Sequence, residues 1–200
     1  EIGVRLVGSE MCIRDRASPM KKLMKKAHHS KYVLLLMRHA KAEAPEMGDD
    51  WGRGLTDKGL KQAKIMAKGL ESLKLVPNYI VCSSANRTEQ TLKRMLKRFG
   101  DSPVVESRKS LYDGGMQSVM DELQAIRGDV HTTMIVGHEP TMSMAAQWLS
   151  SPDSDPDVLG AMRLGLANAS VVVLVSDRPF ATCGLRGATA LAILTPKSFA

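Results

Sequence analysis

Aromatic side chains are scarce in this sequence: two Trp, three Tyr and three Phe make up 4% of 200 residues. That scarcity argues against a protein that binds nucleic acid by stacking bases on aromatic platforms. Long apolar runs are missing too; none approaches the roughly 18 residues that a membrane-crossing helix needs. The three cysteines, Cys12, Cys82 and Cys183, form no CxxC pair and no metal-ligand spacing. A disulfide framework is therefore not expected, and reduced thiols in the cytoplasm are the simplest reading. No P-loop, GxGxxG or EF-hand pattern occurs, so neither a nucleotide, a dinucleotide nor calcium is called for. No metal or other cofactor is expected.

What is present begins with charge. The formal net charge is +7, but it is unevenly placed. Residues 1–31 hold eight Lys/Arg and three acidic residues; residues 32–200 hold twenty and eighteen. The balance is thus +5 in the first segment and +2 in the remainder. The basic run "MKKLMKKAHHSK", Met20 to Lys31, reads as solvated, and residues 1–31 as a whole as a disordered basic tail, without a specific nucleic-acid or membrane partner. Before it, "VGSEMCIRDR" lacks helix or strand periodicity and has no signal-peptide core. It resembles the translation of a sequencing-library adapter, which makes residues 1–19 non-native and puts the expected start near Met20 or Met24.

From Tyr32 onward, strand-like and helix-like segments alternate. Val33–Met37, Tyr79–Cys82, Val104–Glu106 and Thr133–Val136 read as strands, the first and last buried on both faces. Helices are expected from a Thr56 cap to about Ser72, from "SSANR" to Phe99 with Gly100 as stop, over Gln117–Ile126, and from Pro140 to about Leu149. "LYDGGM" and "SSPDSDPD" read as loops, and Ala169–Ser176 with Ala188–Leu194 as a hairpin. Such alternation predicts an α/β fold: three layers, α/β/α, around a mainly parallel sheet.

Ligands of open α/β sheets bind beyond the carboxyl ends of the strands. Arg38 and His39 follow the first strand, Ser83, Ser84 and Arg87 the second, and His138 the strand Thr133–Val136. Two arginines and two histidines at one sheet edge suit a dianionic tetrahedral ligand. Guanidinium forks match phosphoryl oxygens, and neutral imidazole can attack phosphorus.

The ordered blocks "MRHAKAE", "RGLTDKGLKQA", "SSANRTEQT", "LYDGG" and "IVGHEP" resemble the histidine phosphatase superfamily, the phosphoglycerate mutase-like or RHG proteins, and within it the SixA-type phosphohistidine phosphatases. The resemblance spans about residues 32–195 and implies a histidine phosphatase domain over 32–200. It implies His39 as the phosphoryl-accepting nucleophile, Arg38 and Arg87 as phosphoryl ligands, and His138 as a second pocket donor. Ser83, Ser84 and Arg53 are implied substrate-binding residues, and Thr56 shapes the pocket. Lys41, Glu43, Asp49 and Asp50 read as solvated loop charges. Ala40 stands in place of the RHG glycine, and Gly54 where proline is common. Asp113 is the one carboxylate near the place where relatives carry a general acid, although a turn-forming role fits its Gly114 neighbour better.

The expected function is hydrolysis of phosphohistidine through a covalent intermediate on His39, on a phosphorylated protein such as a histidine phosphotransfer domain. A small-molecule phosphomonoesterase and a non-catalytic phospho-binding module are the alternatives.

Overall fold

The computed structural model describes residues 11–200, with side chains from Pro19 onward. Six strands form one sheet: β1 (Tyr32–Arg38), β2 (Tyr79–Ser83), β3 (Val104–Arg108), β4 (Thr132–Gly137), β5 (Val171–Ser176) and β6 (Thr189–Leu194). Their order is β3-β2-β4-β1-β5-β6. The pairs β3–β2, β2–β4 and β4–β1 are parallel. β5 runs antiparallel to β1, and β6 antiparallel to β5. The expected hairpin is thus the antiparallel end of an otherwise parallel sheet.

The helices are α1 (Met11–His29), α2 (Asp57–Ser72), α3 (Asn86–Phe99), α4 (Ser110–Asp113), α5 (Gly115–Gln124), α6 (Thr141–Leu149), α7 (Pro156–Arg163) and α8 (Phe180–Cys183). Successive side chains of a strand point to opposite faces, and β1 shows the consequence. Val33, Leu35 and Met37 enter one core with residues of α1, α2 and α3. Leu34 and Leu36 enter the other, with residues of α5, α6 and α7. This is the three-layer α/β/α arrangement expected from the alternation.

Local chemistry explains most boundaries. Thr56 caps α2, its side chain accepting from Gly59 N at 3.0 Å. Gly59 must lack a side chain, because a Cβ there would lie 2.1 Å from the Lys41 carbonyl oxygen. Gly100 ends α3 at φ 75°, in the region glycine tolerates best.

Three sequence expectations change. The segment after Ser150 is not all loop, for Asp155 caps α7 with Pro156 at its first position, a legible start signal. "LYDGGM" holds the turn of α4 and the beginning of α5. Most telling, Met20–His29 is helix rather than disordered tail. Leu23 and Ala27 are buried in the α2/α3 core, and Met20 and Met24 pack against it. These four positions follow i, i+3, i+4, i+7, a helix stripe concealed among lysines. Residues 1–10, where disorder is also expected, lie outside the described residues.

Removing residues 1–19 is expected to leave thermal stability and turnover unchanged. Leu23→Ala should destabilise by about 2–3 kcal/mol, the usual loss for a buried leucine. Urea unfolding of both variants checks this; a truncation as costly as Leu23→Ala would place necessary structure before Met20.

Candidate active site

Parallel strands β1, β2 and β4 end at one edge, and the chain leaves each carrying a polar side chain. His39 follows β1 and His138 follows β4, their ring centroids 5.4 Å apart. Because β5 is antiparallel, its entry loop lies at the same edge and supports β1. Arg38 N donates to Ser170 O at 3.1 Å, and Ala169 N to His39 O at 3.0 Å. The backbone around the first histidine is therefore held from both sides, with His39 N donating to Gly137 O at 3.0 Å.

A polar cavity of about 310 Å³ opens there, lined by Arg38, His39, Arg53, Arg87, His138 and Glu139, among others. Lys41 also lines it, which sequence reading had assigned to solvent. His39 is 7% exposed and Arg87 6%. Ala40 is fully buried and donates its N–H to Thr91 Oγ1 at 3.1 Å, which explains why only a small residue fits beside the histidine.

The His39 tautomer follows from its one protein partner. Nδ1 lies 2.7 Å from the Ala40 carbonyl oxygen, an acceptor only, so Nδ1 carries the proton and Nε2 keeps its lone pair. Burial, opposed by that hydrogen bond and aided by Arg87, Arg38 and Arg53, lowers its pKa to about 4. His138 is lowered to about 3 by burial, then by Arg87 and His39. Both rings are neutral at pH 7. Ser83 Oγ sits 2.8 Å from His138 Nε2 and accepts from Ala85 N at 3.4 Å.

Three buried polar atoms of cavity-lining residues have no hydrogen-bond partner among the described residues: Arg38 Nε, Arg87 Nε and His138 Nδ1. The two guanidinium Nε atoms are donors. Buried donors are rarely left unpaired, and these two belong to residues that line one cavity with His39. Arg38 is held by donation from Nη1 to Leu166 O at 2.6 Å. Leu166 N in turn donates to Glu139 Oε2 at 3.0 Å, so Glu139 ties the segment after α7 to the start of α6. Sequence reading passed over Glu139, although its place in "VGHEP" put it beside His138.

Other candidates fall differently. Ser84 has a buried hydroxyl without a partner among the described residues and does not line the cavity. Arg53 does line it, donating from Nη1 to Asp50 Oδ1 at 2.9 Å and from Nε to Glu43 O at 2.8 Å. Thr56 serves as the α2 cap. Asp113 is exposed at the end of α4 and outside the cavity lining; helical spacing turns its neighbour Tyr112 toward the site instead. Tyr112 OH donates to Asp50 Oδ2 at 2.8 Å. Asp50, read from sequence as a loop charge, also accepts from Arg87 Nη2 at 3.2 Å. Hydrogen bonds from Arg53 and Tyr112 hold its pKa at about 2.

The lowered histidine pKa values carry a pH prediction. The unfolded chain protonates His39 near 6.5 and the folded one near 4. Between these values the unfolded state binds more protons, so stability falls as pH drops through this window. The His39 Cε1–H resonance should titrate with a midpoint near pH 4; a midpoint near 6.5 would show a solvated ring.

The site is thus a polar pocket at the carboxyl edge of an α/β sheet, lined by guanidinium groups and by a histidine with an unprotonated Nε2. Comparison with known proteins gives this class its family. The sequence profile of the histidine phosphatase superfamily (branch 1) matches residues 34–113. Rv1276c, an uncharacterised protein of Mycobacterium tuberculosis, is 31% identical over 115 residues, 58% of this chain and 70% of that protein. A structure assigned as the phosphohistidine phosphatase SixA of Nakamurella multipartitia superposes with a TM-score of 0.72 at 30% identity, covering 82% of this chain and 96% of that one. The protein histidine phosphatase SixA complexed with tungstate shares the fold at TM-score 0.69 and 20% identity, over 84% and 99% of the two chains. The chain belongs to the histidine phosphatase superfamily and resembles its SixA members.

Proposed function

We propose that this protein is a phosphohistidine phosphatase that works through a covalent phosphoryl intermediate on His39. The observation that carries the reading is that Arg38 and Arg87, each with an unpartnered buried Nε donor, line one cavity with His138 and with His39, whose Nε2 is free. The His39 lone pair attacks phosphorus while the P–N bond breaks and its electron pair passes to the departing ring nitrogen. Guanidinium and imidazole donors neutralise charge on the equatorial oxygens. Water then attacks the phosphoryl group on His39, the P–Nε2 bond breaks, and phosphate leaves with the water's oxygen.

The carboxylates favour a P–N over a P–O substrate. An alkoxide must be protonated as it departs, which needs a carboxylic acid poised to donate. Glu139 accepts with Oε1 from Ser143 N, and with Oε2 from Ser143 Oγ and Leu166 N. Asp50 is ionised, and Asp113 faces solvent. An imidazole whose conjugate acid has a pKa of about 6.5 departs with less help. A protein-borne substrate, such as a histidine phosphotransfer domain, is the proposed physiological class.

The test is hydrolysis of a phosphohistidine protein, free phosphohistidine and p-nitrophenyl phosphate in parallel. Higher kcat/KM for the P–N substrates supports the reading. Preference for the P–O substrate would replace it with a small-molecule phosphomonoesterase, and binding without turnover of any substrate with a phospho-binding module.

A further inference from the structure

Three side chains that contact cavity-lining residues, directly or through one another, without themselves lining the cavity are not required by phosphoryl transfer itself. Asp50, Trp51 and Tyr112 nevertheless form one connected group. Tyr112 OH donates to Asp50 Oδ2 at 2.8 Å. The Trp51 and Tyr112 rings meet edge to face with centroids 4.7 Å apart, and Tyr112 meets His138 the same way at 5.7 Å. In a chain with only eight aromatic residues, two beside one pocket are a substantial share.

The loop that carries this group is fastened to α3. Asn86 N donates to Trp51 O at 3.0 Å, Asn86 Nδ2 to Gly52 O at 2.9 Å, and Arg87 Nη1 to Asp50 O at 2.8 Å. The Asp50 side chain stays 47% exposed, and Trp51 is 37% exposed. Both are therefore open to a group arriving from solvent next to Arg53 and Arg87.

We propose that Asp50, Trp51 and Tyr112 form a leaving-group subsite for a planar cationic ring, Asp50 accepting the ring's distal N–H while the half-exposed Trp51 offers one face for the ring to lie against and Tyr112 holds both in place. The inference rests on the phosphohistidine reading, where that ring is imidazolium. Its chemical value lies in the leaving step. With the distal nitrogen protonated, the P–N electron pair settles on the ring nitrogen and neutral imidazole departs, keeping its distal proton. Without that proton, imidazolate would have to leave, a far stronger base. An ionised Asp50, held by Arg53 and Tyr112, favours the protonated ring through charge and hydrogen bonding. The same carboxylate repels leaving groups that carry an anion, so carboxylate-bearing phosphoesters are disfavoured.

The test compares wild type, Asp50→Asn and Trp51→Ala on three substrates. Phosphohistidine has a ring and a distal N–H, p-nitrophenyl phosphate a ring without N–H, and phosphoramidate no ring. Asp50→Asn is expected to lower the phosphohistidine-to-nitrophenyl ratio of kcat/KM at least about tenfold, the size of one charge-assisted hydrogen bond. Trp51→Ala should lower the phosphohistidine-to-phosphoramidate ratio at least about fivefold, as loss of one stacking partner does. Unchanged ratios in both variants overturn the subsite. A parallel rise with every substrate also overturns it, by making Asp50 a competitor for the arginines. Wild type that ignores phosphohistidine removes the P–N reading and the subsite together, a result visible before any variant is made. Should circular dichroism show Asp50→Asn unfolded, Trp51→Ala, at a surface position, decides alone.

Discussion

His39→Ala is expected to lower kcat/KM by at least about 10⁴-fold, because removal of a covalent nucleophile leaves only binding and electrostatic assistance. The fold should survive the change. The hydrogen bonds that seat this residue on the sheet edge are made by its backbone, to Gly137 O and from Ala169 N, and alanine keeps both. Melting temperature measured beside activity separates lost chemistry from lost structure. Two further readings sharpen the assignment. Rapid acid-free quenching of wild type should trap a phosphoryl group that is stable in base and labile in acid, and the variant should trap none. Free imidazole should restore part of the variant's turnover by accepting the phosphoryl group in the vacated space. A variant retaining more than about a tenth of wild-type kcat/KM would remove His39 as nucleophile.

Arg87→Ala is expected to cost about 10²- to 10³-fold in kcat/KM, or about 2.7–4 kcal/mol, the range for one preorganised donor to developing charge. Most of the loss should fall on kcat, since the equatorial oxygens draw more from the donor in the transition state. Arg87→Lys should recover little, for a point charge cannot supply a guanidinium fork. Arg87 also holds Asp50 through its side chain and backbone, so part of the effect could pass through that loop. A double-mutant cycle with Asp50→Asn isolates the share. Unchanged kcat/KM in Arg87→Ala would take this residue out of the reaction.

The legibility of the fold varied with the range of the interactions. β1 could be read because five consecutive apolar residues, Val33–Met37, suit a strand buried on both faces. The Thr56 cap and the Gly100 stop were equally local, and both stand where capping chemistry put them. The Met20, Leu23, Met24, Ala27 stripe was legible in principle, but alternating lysines gave the segment the composition of a solvated tail. Only the core supplied by α2 and α3 shows why its apolar side chains are needed.

The site divides similarly. Arg38 and His39 were readable from their place after a strand, and His138 from the same rule applied to β4. Asp50 was not readable, because its partners lie far along the chain: Arg87 is 37 residues away and Tyr112 62. A loop carboxylate looks solvated until a fold brings donors to it. Asp113 shows the reverse, a carboxylate near the right place in the chain that a single helical turn directs to solvent.

By itself, then, the sequence determined most of the strands and the longer helices from Tyr32 onward, and that the strand ends carry arginine and histidine. Those properties follow from side-chain periodicity and residue type, both local. The tertiary structure alone decided the order β3-β2-β4-β1-β5-β6, which sets β4 beside β1 and so His138 beside His39. It also decided which buried polar atoms stay unpaired and that Asp50 pairs with Arg53, Arg87 and Tyr112, because burial and partner distance exist only once remote segments have packed.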